Sequence, residues 1–332
     1  MKYSNLLVTG GAGFIGSSFI RYLLKKSSFQ GSIVNLDALT YAGSLDHLRG
    51  FLEHPRHKFI QGDILDQKLV EILLDDHEID AVVHFAAETH VDRSIASAEP
   101  FVTTNVIGTL RLLEAIRKRP EIHFHHISTD EVYGSLELTG VFNEHSVYRP
   151  NSPYSASKAA SDHLVRAYGK TYGLSTTLSH CSNNYGPCQH REKLIPRMIT
   201  LALAGKPLPI YGKGTNIRDW LFVDDHAEAI ALILDQGRKG ETYDIGGGVE
   251  KSNLELVKLL LELLAEETGV PAYRYLDLIS QVPDRPGHDF RYAIDSTKID
   301  AELGWNPSTS LPIGLRKTIR WYLKQNSKKQ LV

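Results

Sequence analysis

Asn5-Leu6-Leu7-Val8-Thr9-Gly10-Gly11-Ala12-Gly13-Phe14-Ile15-Gly16 runs from a short apolar segment through a glycine-rich turn into a helical pattern. Its glycines satisfy two spacings, G-x-G-x-x-G through Gly11, Gly13 and Gly16, and G-x-x-G-x-x-G through Gly10, Gly13 and Gly16. Without Cβ atoms the backbone can turn tightly and approach a pyrophosphate, whose charge then meets the N-terminus of the following helix. A glycine triplet also marks many plain turns. Its place after the first strand of an alternating pattern is what favours a dinucleotide site.

That alternation continues outward from the turn. Strands are expected at Asn5–Thr9, Ser32–Leu36, Lys58–Ile60, Ala81–Ala86, Ile122–Ser128 and Leu174–Cys181, and helices at Phe14–Lys26, Leu65–Asp75 and Phe101–Lys118. Near-continuous apolar strands separated by helices indicate a parallel sheet covered on both faces, hence an α/β, doubly wound Rossmann sheet. Beyond Cys181 the pattern loosens into segments punctuated by Gly186-Pro187, Gly205-Lys206-Pro207 and Gly212-Lys213-Gly214, which marks a smaller, interleaved C-terminal α/β substrate domain. The division expected is 1–182 for the nucleotide half, with 218–246 returning to its sheet, 183–217 and 247–326 for the substrate half, and 327–332 as a polar tail.

The 332 residues are 42% apolar, enough for a large core. Lys and Arg number 37 against 39 Asp and Glu, with no run of five like charges, so neither nucleic acid nor an anionic membrane is an expected partner. The N-terminus carries no apolar leader and no run reaches spanning length, which points to the cytoplasm. Cys181 and Cys188 fit neither a disulfide framework nor a zinc site. His123, His125 and His126 share one strand without H-E-x-x-H or paired C-x-x-C, so sheet packing is expected of them and no metal.

Asp37 closes the second strand 21 residues after Gly16, where a carboxylate can accept from a ribose diol and repel a 2′-phosphate. That favours NAD over NADP; capping of the following turn is the alternative. Asp63-Ile64 and Phe85-Ala86-Ala87 fall at strand C-termini, the edge where ligands of such sheets gather. Tyr154 and Lys158, one helical turn apart, share a face, and a nearby ammonium would favour the phenolate of a tyrosine acting as base. Tyr22 and Lys26 show the same spacing on the first helix, where an exposed face is expected. What distinguishes Tyr154 is Ser128-Thr129 at the end of strand five, followed by Asp130-Glu131.

These motifs, with Phe85–Ser94, Ser182–Pro187, Arg218-Asp219-Trp220 and Asp284–Asp289, resemble those of the extended short-chain dehydrogenases/reductases acting on nucleotide sugars, and among them the 4,6-dehydratases, from Leu6 to about Tyr322. The resemblance implies NAD-dependent 4,6-dehydration of a nucleoside diphosphate glucose, foremost dTDP-glucose, by a hydro-lyase acting as a homodimer paired through helices such as Phe101–Lys118 and Pro153–Tyr172. A 4-epimerase or a UDP-glucuronate decarboxylase is the alternative, and a non-enzymatic NAD-binding regulator would be expected to lack Tyr154, Lys158 or the acidic pair. Losing water across C5 and C6 requires a base for the C5 proton and an acid for the C6 oxygen, which an epimerase does not need. Glu131 and Asp130 supply them, beside Thr129, Tyr154 and Lys158. The resemblance further implies that Gly10, Gly13, Phe14, Ile15, Gly16, Asp37, Leu39, Thr40, Asp63, Ile64, Phe85, Ala86, Ala87, Thr104, Tyr154, Lys158 and Asn184 hold NAD. It likewise assigns the substrate to Thr89, Thr129, Asn183, Lys193, Leu194, Pro209, Tyr211, Arg218, Asn253, Arg285 and His288. After Gly186-Pro187 an aromatic and a proline usually precede Glu-Lys; here the run is Cys188-Gln189-His190-Arg191, beside the expected nucleotide pocket.

Overall fold

The structure, a computed structural model, describes residues 1–329. Twelve strands occur among them: β1 Asn5–Thr9, β2 Ser32–Asp37, β3 His57–Gln61, β4 Ala81–His84, β5 His123–Thr129, β6 Thr176–Cys181, β7 Asn183–Tyr185, β8 Leu208–Tyr211, β9 Ile217–Phe222, β10 Thr242–Ile245, β11 Glu250–Ser252 and β12 Ile279–Val282. Seven form one parallel sheet in the order β10-β6-β5-β4-β1-β2-β3. Strand order reverses between β1 and β4, and the crevice beyond such a switch point is where open α/β sheets take ligands.

Successive side chains of a strand point to opposite faces, and β1 shows the result. Leu6 and Val8 join a core with Phe19, Ile20 and Leu23 of helix Phe14–Lys25 and Ile230 and Leu234 of helix Val223–Gln236. Leu7 faces the other layer, where Val70, Leu112, Ile116 and Val165 come from helices Gln67–Asp76, Thr109–Arg117 and Pro153–Tyr172. A separate core under helices Leu194–Leu203, Asn253–Thr268 and Leu311–Lys329 carries the small sheets β11-β9-β7 and β12-β8.

Several boundaries differ from the sequence reading. Strand β4 stops at His84: beyond it Phe85 N–H donates to Thr9 O, and the Gly10 turn packs directly on Ala86. Of the 218–246 segment, β10 pairs with β6, but β9 pairs with β7 and β11 instead of entering the large sheet. The reason is Asp219, whose carboxylate accepts from Gly247 and Val249 N–H and draws β9 toward β11. The helix expected over Phe101–Lys118 starts at Glu99 and is interrupted by a π-helical turn at Val102–Gly108. There buried Asn105 accepts from Glu88 N–H at 2.8 Å and donates to Glu88 O and Ser157 Oγ, tying the loop after β4 to helix Pro153–Tyr172. The last helix continues through residue 329 where a polar tail is expected from 327, and residues 330–332 lie outside the described residues. No described helix is long and apolar enough to cross a membrane.

Candidate active site

The glycine turn opens a cavity of about 300 Å³ along the C-terminal ends of β1, β2, β4 and β5. Gly10 has φ +72°, and a Cβ there would lie 2.6 Å from Ala86 N, so only glycine lets the turn pass under the loop after β4. Gly13 is the N-cap of helix Phe14–Lys25 and has no side chain to cap it, so the helix start, with Phe14, Ile15 and Gly16, faces the cavity. Unpaired N–H groups at a helix start suit phosphate oxygens. Asp37 accepts from Ala12 N–H through Oδ2 and from Leu39 N–H through Oδ1, at 2.9 and 2.8 Å. It therefore caps the turn and still presents carboxylate lone pairs to the cavity that it lines. Thr40, Asp63, Ile64, Phe85, Ala86, Ala87, Thr104, Tyr154, Lys158 and Asn184 complete the expected cofactor set. Leu39 alone of that set does not line the cavity; it adopts φ +53° and contributes its N–H to Asp37. A glycine cradle, an exposed helix start and a carboxylate at the end of β2 fit a dinucleotide such as NAD.

The acid–base groups meet at the end of β5. Thr129 caps a 3₁₀ turn over Asp130–Tyr133, accepting from Glu131 N–H, and its hydroxyl donates to Asp130 Oδ1 at 3.3 Å. Helix Pro153–Tyr172 opens with a Ser152/Ser155 capping box that fixes Tyr154 and Lys158 one turn apart. Burial, the Glu131 charge and Asp219 push the Asp130 carboxyl well above its ordinary value, so it is held as the acid. Its Oδ2 is buried without a partner. Burial also raises Glu131, but Lys193, Arg285 and Arg218 oppose the rise and favour its carboxylate. Both neighbours are raised, Asp130 the more strongly, because nearby carboxylates add to burial there and cations oppose it at Glu131.

Tyr154 is buried against the larger cavity. Burial and the Glu131 carboxylate raise its phenol well above the ordinary value, with only the Thr129 hydroxyl among the main influences working the other way. Lys158 donates to Ile127 O at 2.7 Å, and burial lowers its ammonium to about 8. In the protein chain itself the phenol is therefore the proton-bearing form, and the lysine does not reverse that.

A second cavity of about 170 Å³ adjoins the first, lined by Leu194, Pro209, Tyr211, Arg218, Asn253, Arg285 and His288. Asn183 and Lys193 line both, as do Glu131, Asn184 and Gln189, whereas Thr89 and Thr129 line the larger cavity only. Lys193 donates to Thr89 O at 2.7 Å. Arg218 is anchored on the carbonyls of Ile217, Asp289 and Phe290 and lies 4.3 Å from the centroid of the Tyr292 ring. Arg285 reaches Asp92 at 3.3 Å and keeps Nε buried without a partner. Three cations converging on one small cavity suit a diphosphate.

Some site residues escape the sequence reading. Tyr292 lines the second cavity, and Glu131 is the leading charge acting on its phenol; its only sequence signal is proximity to the Asp284–Asp289 motif. At the rim, Arg93 pairs with Glu192 and lies 3.9 Å from the Tyr41 ring centroid, while His90 and His190 also face Glu192. His123 and His125 bond Ser175, Thr177 and Ser179 across β5 and β6. No group of three or more His, Cys, Asp or Glu among the described residues is placed to hold a metal ion, and both cysteines are free and buried.

A dinucleotide cavity joined to a cationic one, with Tyr154, Lys158 and an acidic pair at the junction, defines the extended short-chain dehydrogenases/reductases of nucleotide sugars. The chain belongs to the GDP-mannose 4,6 dehydratase family, whose model matches residues 7–318. It is 54% identical to the dTDP-glucose 4,6-dehydratase of Neisseria gonorrhoeae, over 98% of this chain and 97% of that one. Among solved structures it is similar to the dTDP-glucose 4,6-dehydratase of Streptomyces venezuelae with NAD bound, at 48% identity and TM-score 0.92 over 98% of both chains. The UDP-glucose 4-epimerase of Thermotoga maritima shares the fold at 30% identity and TM-score 0.87, over 97% of this chain and 99% of that one.

Proposed function

We propose that the protein catalyses the NAD-dependent 4,6-dehydration of dTDP-glucose to dTDP-4-keto-6-deoxyglucose. The observation that carries this reading is the split of the acidic pair: Asp130 is buried as the acid while Glu131, one residue on, is surrounded by Lys193, Arg218 and Arg285. An epimerase has no use for that division. Residues 1–182 would hold the coenzyme through the glycine turn, Asp37 and the strand ends; 183–217 and 247–326 would hold the diphosphate through Lys193 and Arg285, joined by Arg218 of β9. When bound, NAD would supply a positive charge and reversible hydride chemistry, by which the hydride lost from C4 would be regained at C6. Tyr154, with Lys158 close behind it and the coenzyme charge added, would accept the C4 hydroxyl proton. The ketone acidifies C5, so Glu131 can remove that proton while Asp130 delivers its own to the departing C6 oxygen. Glu131 then returns a proton to C5.

Substrate deuterated at C4 should give product carrying the label in its C6 methyl group, without net release of reduced coenzyme. Label retained at C4 of an inverted sugar would show an epimerase instead, and labelled reduced coenzyme released one for one would show a simple dehydrogenase. We further infer a cytoplasmic homodimer. Exposed Val102, Ile107 and Tyr172 on helices 99–117 and 153–172 support the pairing, and the free thiols suit the compartment.

A further inference from the structure

Tyr154 and Lys158 belong to a longer stripe on helix Pro153–Tyr172. Asp162 stands one further turn on, with the same four-residue spacing, and is fully buried. His126 of β5 lies between the two charges, its Nε2 3.4 Å from Lys158 Nζ and 3.2 Å from Asp162 Oδ1. Ser128 Oγ and Tyr148 OH donate to Asp162 Oδ2 at 2.9 and 3.0 Å, and His180 Nε2 approaches it at 3.2 Å. The other ring nitrogen of His180 meets Asp244 Oδ1 at 2.8 Å, where Tyr133, the last residue of the catalytic 3₁₀ turn, also donates. Lys158, Asp162, His180 and Asp244 thus form an alternating line of buried charges that crosses β5, β6 and β10 beneath the site.

We propose that Asp162 is a positioning residue for Lys158: it is the counter-charge that keeps the buried amine protonated, with the His180–Asp244 pair holding Asp162 ionised. This rests on the role of Lys158 in the reading above. A buried ammonium is costly unless paired. The groups facing Lys158 are His84 on β4, His126 on β5, Cys181 on β6 and Asp162 on its own helix. Burial keeps both histidines neutral and raises the thiol, so Asp162 is the one charged carboxylate acting on the amine among the described residues. Its own charge is secured by the groups bonded to it, since hydrogen bonds to a carboxylate favour the ionised form. His180, between two carboxylates, is raised to about 9 and stays cationic at neutral pH.

The test is a titration of the lysine itself. Coenzyme-loaded protein labelled with 13C-lysine is followed by NMR across pH, with the Lys158 resonance assigned by Lys158→Met. Asp162→Asn should lower its midpoint by about one unit or more relative to the parent, the size expected for losing an opposite charge. The alkaline limb of the kcat profile should move down with it, while KM for the nucleotide sugar stays put. His180→Gln removes one of the groups that hold Asp162 ionised and should lower the midpoint in the same direction but by less, which provides a second readout if Asp162→Asn folds poorly. Unchanged Lys158 titration in either folded variant, with only a lower melting temperature, would make Asp162 a structural residue and overturn the proposal. If the midpoint shifts but the parent does not dehydrate dTDP-glucose, the charge link stands and the functional reading alone fails.

Discussion

Asp130 and Glu131 have the same chemistry and adjacent positions, yet their surroundings assign them different protons. Burial raises both; at Asp130 two nearby carboxylates add to the rise, while at Glu131 Lys193, Arg285 and Arg218 oppose it. Asp130→Asn should therefore slow departure of the C6 oxygen, whereas Glu131→Gln should stop exchange of the C5 proton with solvent, each by about 10²–10⁴-fold. Deuterium incorporation at C5 in heavy water separates the two, and parental exchange in Glu131→Gln would remove it as the base. The pair itself is legible in the sequence because two carboxylates follow a strand end and a hydroxyl. Which one carries the proton is not, since Asp219, Lys193, Arg218 and Arg285 come from 62 or more positions away along the chain. The same holds for Tyr154: the Y-x-x-x-K spacing is plain, but the burial that keeps the phenol protonated depends on packing. Asp162 could have been found, because the spacing simply continues for another turn.

At the scale of elements, periodicity locates nearly every strand of the large sheet and misjudges the connections. The helix over 99–117 reads as one amphipathic run, and nothing in its pattern announces the π-helical turn, which exists so that Asn105 can reach the Glu88 backbone. Strand β9 looks like a member of the large sheet because its second half, Trp220-Leu221-Phe222, is apolar on both faces. The Asp219 bonds that place it elsewhere are tertiary. The same two helices, 99–117 and 153–172, leave the large apolar side chains of Val102, Ile107 and Tyr172 exposed along their length, better suited to a partner surface than to water. Light scattering should give twice the mass of the chain, and Val102→Glu should shift it toward one chain with the cavity residues untouched. A parent protein that remains a single chain at micromolar concentration would refute the pairing.

Across the whole molecule, histidines set an acid limit and an alkaline one. His84, His123, His125, His126 and His226 are all lowered by burial, to about 4 for His123 and His126. A group depressed in the fold gives its full stability above its unfolded value near 6.5 and loses it as pH falls toward the folded one. His180 is raised to about 9, so its contribution is complete below about 6.5 and is lost as pH rises through 9. The urea midpoint should accordingly be highest near pH 7 to 8 and decline on both sides; a midpoint constant from pH 7 down to 4.5 would contradict the acid arm. The two cavities meet along one wall formed by Glu131, Asn183, Asn184, Gln189 and Lys193. Occupants on either side of it are close enough for a short tether. A single compound joining a dinucleotide fragment to a deoxythymidine diphosphate would fill both at once, and its affinity would rise through effective concentration, not through any new contact.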